Sequence, residues 1–281
     1  MSKSLESLQH EIEICFELAQ KMGIGLYGIV QVSDGAMPVI SMRGSEPRIA
    51  ASINKLAIAR WLVDFSGELA NTFSWTENER LEGGGIYDGD NSRFEASLDE
   101  LVVDMIKNSG NTAAKILGRN NVDKTNLHMQ EIGLSNSQLI ALGKGTFSTG
   151  QTTSIEALQL ITDFAKNQSS AGLSGLIADS LIESRGYIAK NFLKNDKLVI
   201  LSKWGALNPY KNQNYFVRNE VGLMKNQTRL SVGYSLFSES LDAYRSKIAV
   251  EIIGQIGTDL ADYLGIRRIK MTERLLQVMR P

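Results

Sequence analysis

One cysteine, Cys15, is the whole thiol content of this 281-residue sequence. No intrachain disulfide can form, and a structural zinc site built from several thiolates is excluded. Cys15 falls on the apolar side of a helical pattern and reads as a small packing residue. Histidine is nearly as scarce. His10 lies between Leu8 and Ile12 in the first helical segment, far from other candidate groups, and His128 lies in a predicted helix among polar residues, where it is expected to face solvent. Two such histidines support neither a Ser-His-Asp triad nor a metal site with several imidazoles, so no metal and no cofactor is called for. Charge of one sign is lacking too: 30 Lys and Arg against 31 Asp and Glu leave a formal net charge of -1. There is no global field of the kind that draws a protein to nucleic acid or an acidic membrane. No run of eighteen apolar residues occurs, and Glu11, Glu13 and Glu17 interrupt the start. Neither a membrane span nor a secretory leader is read, and the expected setting is cytoplasmic, or periplasmic or secreted if a leader has been removed.

What is present is patterned. Residues 4 to 21 place Leu5, Leu8, Ile12, Cys15, Phe16 and Ala19 at helical spacing, and two strands follow, joined at Ser33-Asp34-Gly35. From 52 to about 184 the period is helical, with apolar faces over 52–66, 97–107, 111–119, 123–132 and 154–166. Strand patterning returns in "KLVILSKWG" (197–205), "YFVRNEVGLM" (215–224) and "TRLSVGYSLF" (228–237), and 240–254 is helical again. The economical solution is an α+β fold. An antiparallel sheet of about five strands draws on both ends of the chain (1–48 and 185–281), with its terminal helices on one face and an inserted all-α subdomain (49–184) beside it. The last stretch, with Arg267, Arg268, Lys270 and Arg274, reads as a short solvated or partner-facing helix rather than a membrane anchor.

With histidine out of the way, lysine is the base available to a serine. In "ASINKLAIARWLVDF" Ser52 precedes Lys55 by three positions, one turn on a shared helix face. Lys55 can then point its amine at the Ser52 hydroxyl, and a lysine desolvated by Ile53 and Leu56 is pushed toward the free amine that general-base work needs. Taken alone, the same four residues read more simply as a helix start capped by serine. The pattern alone does not make Ser52 a nucleophile.

Its company does. Ser109-Gly110-Asn111 lies in a turn between two helical segments, and Lys203-Trp204-Gly205 lies on a strand. Ser-x-x-Lys, Ser-x-Asn and Lys-x-Gly, in this order and on these elements, resemble the active-site signature of the penicillin-recognising serine hydrolases. The sequence is similar over most of its length to the class A serine β-lactamases, with the D-alanyl-D-alanine carboxypeptidases as nearest relatives by motif. That resemblance implies a β-lactamase/transpeptidase-like fold and a small-molecule substrate carrying a carboxylate. It implies Ser52 as the acylated nucleophile, Lys55 as its base or proton shuttle, and Ser109 as a relay toward the leaving nitrogen. Asn111 would hold the substrate's side-chain amide, and Lys203 would add positive charge near the substrate carboxylate and keep Ser109 oriented. The backbone amides of Ser52 and of Ala206, which follows Gly205, would form the oxyanion hole. Arg229 would clamp the carboxylate, or else be an ordinary edge-strand charge.

Two departures carry consequences. Class A enzymes hold a glutamate between the second motif and the Thr-rich helix start, and the corresponding stretch here, 132–154, has no acidic residue; Glu131 and Glu156 flank it in predicted helices. Acylation should survive while deacylation of a β-lactam slows, since one well-placed general base is worth on the order of a hundredfold or more. Trp204 stands where the family has threonine or serine, so a hydroxyl is lost from the carboxylate site, and the ring either fills that space or packs on the sheet.

Overall fold

The computed structural model describes residues 3–32, 40–89, 92–143, 146–147, 150–192, 197–209, 214–228 and 230–266. The chain opens with α1 (Leu5–Lys21), β1 (Gly25–Val32), β2 (Ile40–Met42) and the two-residue β3 (Arg48–Ile49). A helical stretch follows: α2 (Lys55–Phe65), the short strands β4 (Thr72–Ser74) and β5 (Glu95–Ser97), α3 (Leu98–Val103), α4 (Asn111–Gly118) and α5 (Val122–Glu131). After β6 (Ala141–Gly143), β7 (Thr146–Phe147) and β8 (Gln151–Thr152) come α6 (Ser154–Lys166) and α7 (Leu173–Glu183). Three long strands, β9 (Leu198–Leu207), β10 (Phe216–Asn226) and β11 (Ser231–Ser240), lead into α8 (Ala243–Tyr263).

The two ends of the chain meet in one sheet of order β2-β1-β11-β10-β9, antiparallel at every joint. Period-two alternation sorts its side chains into two cores. Val30, Val232, Leu236 and Met224 face α1 and α8, where Leu8, Ile12, Ile252 and Ile256 are fully buried. Ile29, Leu201, Val221 and Phe237 face the helical stretch and join Leu56, Leu62, Met105 and Ile161. Both faces are covered, so β10 and β11 are almost wholly buried. Each fully buried aliphatic side chain contributes about 1.5–3 kcal/mol. Burial also pushes the Cys15 thiol up to about 12, which keeps it an inert packing group.

Most predicted segments appear within a residue or two. Leu5 is an exception on the first helix: it sits in the first turn and is 46% exposed. The final helix runs nine residues beyond 254, through Gly257, where a Cβ would lie 2.5 Å from Ile188. Gly257 is thus a packing site for the crossing segment around Ile188. His128 is a correction: it does not face solvent but is buried between α5 and α2, edge-on to Phe65 and beside Asp64. A histidine can present an apolar ring face to a neighbouring helix while its nitrogens meet a carboxylate, so polar sequence neighbours do not force it outward. The turn Ser33-Asp34-Gly35 and the basic segment from 267 on lie outside the described residues.

Candidate active site

The segment before Ser52 is held on three sides. Arg48 and Ile49 pair with Thr152 and Gln151, the Ala50 amide donates to the Gly150 carbonyl at 3.2 Å, and the Asn219 side-chain amide donates to the carbonyls of Ile49 (2.8 Å) and Ala50 (3.3 Å). Ala51 then takes a left-handed φ of 48°, a conformation that a residue with a Cβ adopts only under constraint. Ser52 follows in a tight 3-10 turn (Ala51–Asn54), and α2 begins at Lys55. The capping alternative fails on this geometry. The residues at the cap positions are Ala50 and Asn54, and neither turn nor helix has a side-chain cap. Strand β9 runs directly over the Ser52 backbone: a Cβ on Gly205 would lie 2.8 Å from the Ser52 amide nitrogen and 3.0 Å from the Ala51 methyl. The glycine of Lys-x-Gly is thus demanded by the close approach of Ser52.

The two lysines meet on Ser109. Lys55 donates to the Ser109 carbonyl (2.5 Å), to Ser109 Oγ (3.2 Å) and to Asn111 Oδ1 (2.9 Å). Lys203, fully buried, donates to the same Ser109 Oγ at 2.9 Å and to the Trp204 carbonyl at 3.1 Å. The sequence pattern anticipated the Lys55 amine on Ser52; its hydrogen bonds here go to Ser109 and Asn111 instead. The reason lies in Ser109, whose left-handed φ of 61° turns both its carbonyl and its hydroxyl toward the amine. A buried amine has three donors to satisfy, and one turn of chain supplies three acceptors.

Burial drives Lys55 down to about 7, against the opposing pull of Asp88 and Asp104, so free amine is abundant near neutrality. Lys203 lies well below its usual range, first from burial and then from Lys55. Two amines contacting one hydroxyl in a buried site cannot both stay charged cheaply. One of them is therefore neutral at rest, with a lone pair free to take a proton.

Asn111 opens α4. Its Nδ2 donates to the Glu82 carbonyl at 2.8 Å and its Oδ1 is on Lys55, so the side chain is oriented from both ends and retains one donor and one lone pair. Trp204 alternates away from Lys203 and Gly205, is partly exposed, and lies against Tyr187 with ring centroids 6.0 Å apart. Beneath it, opposite in register, Glu220 is fully buried, accepts from the Ile188 amide (2.7 Å) and the Tyr234 hydroxyl (3.0 Å), and is pushed up to about 7 by burial. Arg229 lies outside the described residues. Its neighbours Thr228 and Leu230 bond the Asn226 side chain at the Asn226↔Leu198 end of the ladder, whereas Lys203 pairs with Val221. The arginine that pairs with Ala206 is Arg218, which donates to the carbonyls of Leu207 and Val217 and to Asn208.

Of the two acids flanking the 132–154 stretch, Glu131 is exposed at the end of α5. Glu156 is buried, and its carboxylate accepts from the Asn136 amide (3.1 Å), Asn136 Nδ2 (2.8 Å) and Ser137 Oγ (2.7 Å). It ties the loop shut at its neck. Residues missed by the motif reading include Asn219, Asp88 and Asp104; the run of three polar residues Arg218-Asn219-Glu220 in a buried strand was the one visible signal for Asn219. Among the described residues, no group of three or more His, Cys, Asp or Glu could hold a metal ion, and no helix is long and apolar enough to cross a membrane.

A five-stranded antiparallel sheet with terminal helices on one face, and a helical stretch supplying a lysine and a serine against its edge strand, is the β-lactamase/transpeptidase-like fold. The family model of the β-lactamase enzyme family matches residues 8–264, and the chain belongs to that family. Among solved structures it is similar to a β-lactamase from Sphaerobacter thermophilus DSM 20745, with 19% identity over 92% of this chain and 98% of that one and a TM-score of 0.74. It is likewise similar to PBP-A (16% identity, 94% and 97% covered, TM-score 0.72) and to a class A β-lactamase representative from Bacteroides cellulosilyticus DSM 14838 (14% identity, 92% and 99% covered, TM-score 0.70). No curated protein matches the sequence.

Proposed function

We propose that this chain is a serine hydrolase that forms an acyl-enzyme on Ser52 with a β-lactam or a related amide or ester, and that it releases β-lactam acyl groups slowly. The observation that carries the reading is the convergence of the three motifs: Gly205 against the Ser52 amide, and Lys55 and Lys203 on one Ser109 hydroxyl. Lys55, neutral in part near pH 7, takes the Ser52 proton as the hydroxyl attacks the carbonyl carbon. The oxyanion collects at the amides of Ser52 and Ala206, and the proton passes through Ser109 to the leaving nitrogen. Asn111 and Gly205 line the place of the bound substrate. A solved neighbour supports penicillin as the probe: the L158E mutant of PBP-A is an acyl-enzyme complex with penicillin G.

A second reading, a D,D-carboxypeptidase-like enzyme or acyltransferase, draws on one specific observation. Glu156, the buried acid beside the loop, is committed to Asn136 and Ser137, and its carboxylate is not free to activate water. The test is incubation with a fluorescent penicillin and a simple ester, comparing the wild type with Ser52→Ala. Ser52-dependent labelling that persists for hours supports slow deacylation, and rapid release removes that part of the reading. No label and no Ser52-dependent turnover sink both enzymatic readings and leave a binding module.

A further inference from the structure

The Ser-Gly-Asn turn has no carboxylate of its own, yet it is surrounded by two. A Cβ on Gly110 would lie 2.1 Å from Asp104 Oδ2 and 2.7 Å from its Cγ, so the space a side chain at 110 would need is already filled by a carboxylate from six positions upstream. Asp104 is fully buried, accepts from the Ile86 amide (2.7 Å) and Asn108 Nδ2 (3.0 Å), and its Oδ2 has no hydrogen-bond partner. Asp88, buried in the preceding loop, accepts from the amides of Asn111 (3.0 Å), Thr112 (2.8 Å) and Gly85 (2.9 Å). Two of these are donors that the first turn of α4 leaves without an intrahelical partner, and the residue at its cap, Gly110, has no side chain to meet them.

Building on the hydrolase reading, we propose that Asp88 is a positioning residue for catalysis: it caps α4 from outside the motif, fixes Asn111 and thereby Lys55, and with Asp104 supplies the negative field in which the Lys55 amine works. The geometry is direct, because the Asn111 amide is on Asp88 while the Asn111 side chain is on Lys55. The charged groups facing Lys55 are Asp88 from the loop before β5, Asp104 from the turn after α3 and Lys203 from β9. The two aspartates favour the protonated amine, and burial opposes it.

The test is Asp88→Asn, which keeps the size and removes the charge. The titration midpoint of Lys55 is read from its side-chain carbon chemical shift, assigned by its loss in Lys55→Met. The acylation rate at saturating fluorescent penicillin is read at pH 9. Expected are a midpoint at least about half a pH unit lower than wild type, from loss of one nearby negative charge, and an acylation rate reduced at least about tenfold by misplacement of Asn111 and Lys55. A merely structural role would lower the melting temperature without moving the midpoint. An unmoved midpoint, or an unchanged rate at pH 9, overturns the proposal. If Asp88→Asn does not fold, Asp104→Asn carries the midpoint arm of the test, since its charge acts on Lys55 in the same sense, and Asp88→Glu, which keeps the charge but displaces the cap, carries the rate arm. If the wild type does not label at all, the hydrolase reading fails while the midpoint still decides the role of Asp88.

Discussion

Replacing Lys55 with methionine separates catalysis from stability in a way that pH exposes. In the folded protein burial holds the Lys55 amine at about 7, whereas an unfolded lysine titrates near 10.4. Between those values the unfolded chain binds a proton that the folded chain has released, so wild-type stability rises with pH at about 1.4 kcal/mol per unit, flattening below 7 and above 10.4. Lys55→Met has no such slope. The stability of the mutant relative to wild type therefore falls by about 3 kcal/mol between pH 7.5 and 9.5, whatever its absolute value. That absolute value combines relief of the buried amine with the loss of partners for the Ser109 carbonyl and Asn111 Oδ1, each about 1–3 kcal/mol in the opposite direction. Acylation moves oppositely. In wild type the free amine grows about tenfold from pH 6 to pH 8, and the labelling rate should follow it; in the mutant the rate falls by a factor on the order of 100 or more at every pH. Urea denaturation at pH 6, 7.5 and 9.5, run beside fluorescent-penicillin labelling, measures both. Parallel stability curves for the two proteins, or equal labelling rates, refute the assignment of Lys55 as a buried base.

Three further outcomes test the frame around it. Asn219→Ala removes a donor from the Ile49 and Ala50 carbonyls, of which Ala50 keeps the Ile53 amide, and should cost about 1–3 kcal/mol in chemical denaturation. It should also slow labelling of Ser52, because the strained turn at Ala51 loses its clamp. Gly205→Val drives a side chain into the Ser52 amide, so labelling should drop at least about a hundredfold while circular dichroism retains the folded signal. Glu220 works on the other face of the sheet: its folded value of about 7 lies above its unfolded one, so its contribution is complete below about 4.5 and is lost as pH rises through 7. Glu220→Gln should remove about 3 kcal/mol of that pH dependence, seen as a flatter profile of melting temperature between pH 5 and 8.

How far the sequence reaches differs between the sheet, the helices and the site. Alternation in "KLVILSKWG" and its two successors, with apolar faces at helical spacing elsewhere, was enough to place the five-stranded sheet and its terminal helices, because burial of one face imposes a period that survives in the residues. His128 escaped, since the partner that buries it is α2, some sixty residues upstream. Ser52, Lys55, Ser109, Asn111 and Lys203 were legible only as an ordered set. None of their spacings alone distinguishes a helix cap from a nucleophile.

By itself the sequence determined that a serine nucleophile would have to draw its base from lysine rather than histidine, because imidazoles are nearly absent, and that the stretch from 132 to 154 supplies no acid. The tertiary structure decided everything that depends on packing between distant segments. It set the Lys55 amine on Ser109 rather than on Ser52, laid Gly205 over the Ser52 amide, and committed Glu156 to a loop neck. It also brought the carboxylates of Asp88 and Asp104 around a glycine that has none. A hydrogen-bonding group takes the partner that folding puts within 3 Å, and residues far apart in sequence have no spacing that announces it.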